Sequence, residues 1–179
     1  MKKALLVYLL SCTAGLFAQE KMVTKTGKVT IEASVPSFEE VKAKNEGVTF
    51  IINSKTGEVA SLALMKGFRF KIALMEEHFN ENYVESDKYP KSTFKGKIEN
   101  FDVKTLTAVA KEFTIKGKLE LHGKSKDVTS TAKIKKTDAG IEIISNFSVN
   151  ASDFDIKIPN VVKNKVSNTI DIKSEFTVK

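Results

Sequence analysis

From residue 89 onward the chain alternates apolar and polar side chains through one strand-length stretch after another, and this period of two restricts the fold more than any other feature. After Tyr89-Pro90 comes Lys91-Ser92-Thr93-Phe94-Lys95-Gly96-Lys97-Ile98. Phe113-Thr114-Ile115-Lys116-Gly117-Lys118-Leu119-Glu120-Leu121-His122-Gly123 alternates for longer and closes on a glycine. Such a strand is wet on one face and apolar on the other. Strand signals recur at 94–101, 106–121, 128–136, 141–149 and 169–178, with Asp138-Ala139-Gly140 as a turn. Residues 152–163 are less regular, with Phe154, Ile156 and Ile158 alternating before Pro159.

The front half has the same period. Val29, Ile31, Ala33 and Val35 oppose Lys28, Thr30, Glu32 and Ser34, and Pro36 ends that strand. Residues 38–43 have a short helical spacing, with Ser37 as N-cap. Val48, Phe50 and Ile52 form a second apolar face, and Ser54-Lys55-Thr56-Gly57-Glu58 reads as a hairpin turn. Ala60, Leu62 and Leu64 are assigned inward on a third strand, and Phe68, Phe70 and Ile72 on a fourth. The period then changes: Met75, Phe79 and Tyr83 are spaced for a short helix lying across one end of the sheet. Residues 86–90 end it, because a residue before proline is pushed out of the helical region. Eight or nine strands, one short helix and no βαβ alternation predict an all-β antiparallel domain. Strands longer than ten residues, as 106–121 reads, favour a bent barrel over a flat sandwich.

Residues 1–18 read as a secretory signal outside the fold: Lys2 and Lys3, a short apolar run, then Ala18 before Gln19. A rival reading makes Leu9-Leu10-Ser11-Cys12 a lipoprotein signal. Cleavage after Ala18 leaves one domain at 19–179, placed in the periplasm or secreted, with no integral membrane segment and without Cys12, the one cysteine. The formal charge of +7 falls by two with the signal. The remaining lysines, such as Lys95, Lys97, Lys116 and Lys118, sit on polar strand faces. A weakly basic exported chain without tryptophan is a poor nucleic-acid binder. Weak attraction to anionic lipid head groups stays compatible with that charge.

Catalytic signals are scarce. The two histidines are His78 and His122; Glu76, Glu77 and Glu81 lie near His78 in sequence, but a solvated helix face accounts for them better than a metal site. His122, just before a turn, is suited to capping backbone groups at a strand end. No Gly-x-Ser-x-Gly elbow and no glycine-rich phosphate loop is present. The residues call for no catalytic group, metal or cofactor.

Three elements together resemble the YceI-like family of exported proteins. They are the stretch from Tyr83 into Tyr89-Pro90-Lys91-Ser92-Thr93-Phe94, the strand Gly117 to Gly123 with its Leu121-His122-Gly123 end, and the run from Phe147 through Asp153-Phe154 to Ile156. The resemblance covers about residues 27–179 and implies an eight-stranded antiparallel, lipocalin-like β-barrel closed by one short α-helix. It also implies a hydrophobic isoprenoid-type ligand, a polyisoprenoid or similar long-chain amphiphile, held inside. The front departs from the family pattern: an expected histidine is absent before the first long loop.

The interior decides the function. The expected barrel lining is Phe50 with Leu62 and Leu64; Phe68, Phe70 and Ile72; Phe94 and Ile98; Phe113, Ile115, Leu119 and Leu121; and Phe147 with Phe176. An eight-stranded barrel either fills itself with such residues or holds one ligand. An empty pocket of roughly 300 Å³ would cost on the order of 7 kcal/mol, comparable with a domain's whole stability. A pocket is therefore expected to carry a lipid. The alternatives are a ligand-free structural or partner-binding envelope barrel, or an enzyme with two polar groups converging inside.

Overall fold

The computed structural model describes residues 20–179. The expected signal segment and Cys12 lie outside them. Among the described residues, nine strands form one antiparallel sheet: β1 (Lys21–Ser34), β2 (Lys42–Asn53), β3 (Glu58–Leu64), β4 (Arg69–Phe70), β5 (Lys91–Ile98), β6 (Lys111–Leu121), β7 (Lys124–Thr137), β8 (Gly140–Asn150) and β9 (Val166–Val178). Their order is β1-β9-β8-β7-β6-β5-β3-β2-β4, and β1 also pairs with β2. That last pairing closes eight strands into a barrel, leaving the two-residue β4 as an appendix on β2. Closure removes the free edges that an open sheet of alternating strands would expose.

The hairpins follow from turn chemistry. Gly57, at φ +73°, ends the β2–β3 turn, whose amides bond to the Asn53 side chain. The expected helix at 38–43 does not form. Ser37 takes φ +72°, Val41 donates its amide to the Ser34 hydroxyl, and β2 begins at Lys42. Partner strands on both sides outcompete six residues of helical spacing, too few to nucleate a helix alone. The long strand expected over 106–121 begins only at Lys111, because a 3₁₀ turn at Val103–Thr105, capped by Asp102, precedes it. The fourth strand shrinks to β4.

Among the described residues one α-helix forms, α1 (Ala73–His78), and it runs into a π-helical turn at Phe79–Tyr83. It packs over one end of the barrel by the expected spacing. Phe79 contacts the rings of Phe68 and Phe70 at centroid distances of 5.8 and 5.1 Å. Glu76 fastens it from the other side, bonding the Arg69 guanidinium at 2.8 Å and the Phe70 amide at 3.1 Å.

Inside, the two ends of the barrel differ. Away from the helix, Ile52, Ile98, Ile134, Ile143 and Val178 are at most 1% exposed and pack into a filled core. Phe50 and Phe176 stack across its upper limit, centroids 4.2 Å apart. Gly27 lies at a bulge of β1, where a Cβ would come within 2.6 Å of the Phe176 ring. The missing side chain is what lets the stack span the barrel. Toward the helix a second cluster, with Met65, Phe68, Leu119, Phe154 and Ile156, surrounds an open interior.

Candidate functional site

The open interior is a cavity of about 530 Å³, within the range of small-molecule sites. Its floor is the Phe50–Phe176 stack with Ile115 and Ile143, and its walls are mostly apolar, including Val29, Ile31, Leu119, Phe147, Val149 and Ile170. The exposed members of the lining are Phe38, Glu39, His78 and Lys165. These mark a mouth between the 35–41 loop, the helix and the 157–165 loop.

Phe94 shows how local sequence shapes the wall. Gly96 on β5 and Gly117 on β6 face each other in register. A Cβ on either would lie 2.8 or 2.6 Å from the tip of the Phe94 ring. The ring therefore lies along the wall over two residues that lack side chains. The repeated Lys-Gly-Lys in both strands keeps lysines outside and leaves room inside.

Of the lining expected from sequence, Phe50, Phe68, Phe70, Phe94, Ile115, Leu119, Leu121, Phe147 and Phe176 border the cavity. Five residues do not. Leu62 and Leu64 point outward, 36% and 56% exposed, and the cavity wall of β3 is Val59, Ser61 and Ala63. The cause is register: Phe50 pairs with Ser61 and Ile52 with Val59, and directly opposed residues share a face. β2 therefore sets the parity of β3 against its hydrophobicity. Ile98 is fully buried in the filled end, and Phe113 packs beside it against Phe101 at 6.0 Å. Ile72 sits at the helix N-cap outside the lining.

Polar groups within the cavity are few. Glu32, at the rim, is held by Lys42 at 3.0 Å. Burial pushes the Tyr83 phenol above its ordinary value. His78 stands at the mouth, and no group of three or more His, Cys, Asp or Glu among the described residues is placed to hold a metal. No helix among the described residues is long and apolar enough to cross a membrane.

His122 belongs to a different, structural cluster. At φ +50° it ends β6, its Nδ1 donates to the Phe154 carbonyl at 2.9 Å, and its Nε2 lies 2.6 Å from Glu85 Oε2. Tyr89 packs its edge at 4.5 Å. Sequence reasoning missed Glu85, which is 37 residues away. The positive φ required of the turn before Gly123 was the signal that something must hold this residue in place. It also missed Ser130, Ser145 and Ser174, which line the cavity as buried hydroxyls.

Among curated proteins, no sequence matches the chain. Its fold is similar to that of a polyisoprenoid binding domain from Saccharophagus degradans implicated in plant cell wall breakdown. The TM-score is 0.73 at 14% identity, over 89% of this chain and 98% of that one. It is also similar to Burkholderia cenocepacia BcnA, with a TM-score of 0.70 at 16% identity over 86% and 96% of the two chains. A Campylobacter jejuni YCEI protein aligns at 0.61 and 18%, over 81% and 89%. At these identities the likeness is one of fold. The family model for the YceI-like domain matches residues 14–178, and on that match, together with a closed eight-stranded barrel whose upper half is hollow, the chain belongs to the YceI-like family.

Proposed function

We propose that this protein is an exported, non-catalytic carrier that holds a polyisoprenoid or similar long-chain lipid in its barrel. The observation that carries the reading is the cavity: about 530 Å³, walled by apolar side chains and open at one end only past the helix and two loops. Taking up a hydrocarbon chain there gains roughly 25 cal/mol for each Å² of apolar surface removed from water. The similar fold of a polyisoprenoid binding domain supports the same ligand class. Few polar groups converge inside, which argues for holding a ligand over transforming it.

The rim supports loading at a membrane surface. Phe38, Leu74 and Val161 are exposed apolar residues on the 35–41 loop, the helix and the 157–165 loop, at 44%, 56% and 82%. Residues 156–170 contain Lys157, Lys163 and Lys165 and no acidic residue. With Glu39 and Glu40 on the 35–41 loop, the lysines lie on one side of this apolar tip only, and that side is suited to a weak, salt-dependent encounter with anionic lipids.

Mass spectrometry of organic extracts from gently purified protein tests the carrier reading. One stoichiometric long-chain amphiphile is expected. An extract free of any such compound, with no uptake of added polyprenol, overturns it.

A further inference from the structure

The cavity floor carries a polar device that an all-hydrocarbon ligand would waste. Ser130 on β7, Ser145 on β8 and Ser174 on β9 lie on three neighbouring strands and are 7%, 6% and 8% exposed. Ser145 donates to the Ser130 hydroxyl at 3.2 Å. Ser145 and Ser174 are direct partners in the β8–β9 register, one inward-facing pair above Ile143 and Phe176 and one below Phe147 and Ile172. All three line the cavity, and among the described residues the Ser174 hydroxyl has no protein hydrogen-bond partner. The deep wall formed by β7, β8 and β9 is therefore hydroxylated.

Pressing a methyl-terminated chain onto these hydroxyls would remove them from water without replacing their hydrogen bonds, which is unfavourable. An ionised group would fare worse. The one lysine of the lining, Lys165, stands at the mouth with the imidazole of His78, so a phosphate or carboxylate at the floor would be a buried, unpaired charge. A neutral oxygen meets both conditions, because a hydroxyl can donate and accept and a carbonyl can accept from Ser174.

We propose that Ser130, Ser145 and Ser174 form a polar subsite at the cavity floor that receives a neutral hydroxyl or carbonyl oxygen on the bound lipid. This rests on the carrier reading and adds an orientation to it: an oxygen-bearing part of the ligand lies deepest, and any charged end lies at the mouth.

The test uses the full protein, cleared of co-purified lipid on a hydrophobic resin at neutral pH. N-phenyl-1-naphthylamine is displaced by farnesol or by its hydrocarbon counterpart farnesene. The same titrations are made on the Ser130→Ala/Ser145→Ala/Ser174→Ala variant and on Ser174→Ala alone, each checked for a cooperative melt. Wild-type protein is expected to bind farnesol about fivefold or more tighter than farnesene. The triple variant is expected to bring that ratio close to one, through weaker farnesol binding and tighter farnesene binding. If the triple variant does not fold, Ser174→Ala is expected to lower the ratio by itself. Equal binding of the two ligands by wild type, or a ratio unchanged in the variants, overturns the subsite and leaves the carrier intact. Displacement by neither ligand overturns both.

Discussion

The imidazole of His122 bridges two distant segments, with Glu85 Oε2 2.6 Å from Nε2 and the Phe154 carbonyl 2.9 Å from Nδ1. A carbonyl only accepts, so Nδ1 carries a proton. The ring thus ties the segment leaving the helix and the 3₁₀ turn at Ala151–Phe154 to the end of β6. Both tied segments border the cavity.

His122→Ala is expected to destabilise the fold by about 2 kcal/mol, since it removes two hydrogen bonds and orphans a buried carbonyl. Glu85→Gln should lose about 1 kcal/mol or less, because Glu85 is partly exposed. Urea denaturation of both single variants and the double variant measures the coupling, expected at about 0.5–1.5 kcal/mol. Strict additivity would show that the contact contributes nothing.

The glycine pair under Phe94 should be intolerant of even one methyl group. Gly117→Ala places a Cβ 2.6 Å from both the Phe94 ring and the backbone of Gly96. A loss of about 1–3 kcal/mol is expected. Gly47→Ala meets nothing nearer than Asn45 Oδ1 at 3.7 Å, so its midpoint should stay within about 0.5 kcal/mol of wild type. The comparison separates close approach from the general effect of replacing glycine in a strand.

The parity of β3 predicts a contrast between leucines. Leu64→Gln, on the outer face, is expected to leave displacement of N-phenyl-1-naphthylamine unchanged. Leu119→Asn, in the cavity wall and 8% exposed, should weaken binding tenfold or more, as about 1.5–3 kcal/mol of apolar burial is forfeited. Equal effects would place the ligand outside the barrel.

Acid should act partly through Asp155. The hydrogen bond and charge of Lys124, whose Nζ is 2.9 Å away, hold this carboxyl below its ordinary value. A depressed folded value means that the contribution is full above the ordinary carboxylate range. It is lost as pH falls through the depressed value. Lys124→Met is expected to move the Asp155 midpoint up toward the ordinary range in carboxyl NMR titrations. A midpoint that does not move would assign the depression to another group.

On the carrier reading, stripping co-purified lipid should lower the melting temperature, and adding back an extract should restore it in proportion to the logarithm of its concentration. A melt indifferent to both would mean that the cavity takes no ligand.

The period-two pattern by itself determined an all-β antiparallel sheet and the inward faces of β5, β6 and β8, and the change to helical spacing at Met75, Phe79 and Tyr83 placed the helix; the pairing of β1 with β2 that closes the barrel was decided by tertiary structure. Those strands have one strongly apolar face, so burial leaves a single choice. β3 was different, because Ala60, Leu62 and Leu64 compete with Val59, Ser61 and Ala63 as an inward face. Only pairing with Phe50 and Ile52 resolved it, since a strand's two faces become inequivalent when a neighbour sets its register. The division of the interior into a filled end and a hollow end was likewise decided by tertiary structure. Ile98 and Ile115 are both buried isoleucines facing inward, yet one is sealed in the core and the other borders the cavity. What separates them is the Phe50–Phe176 stack, made possible by Gly27 on a third strand. Alternation along a chain specifies which side is greasy; whether that side meets another side chain or open space depends on packing between residues far apart in sequence.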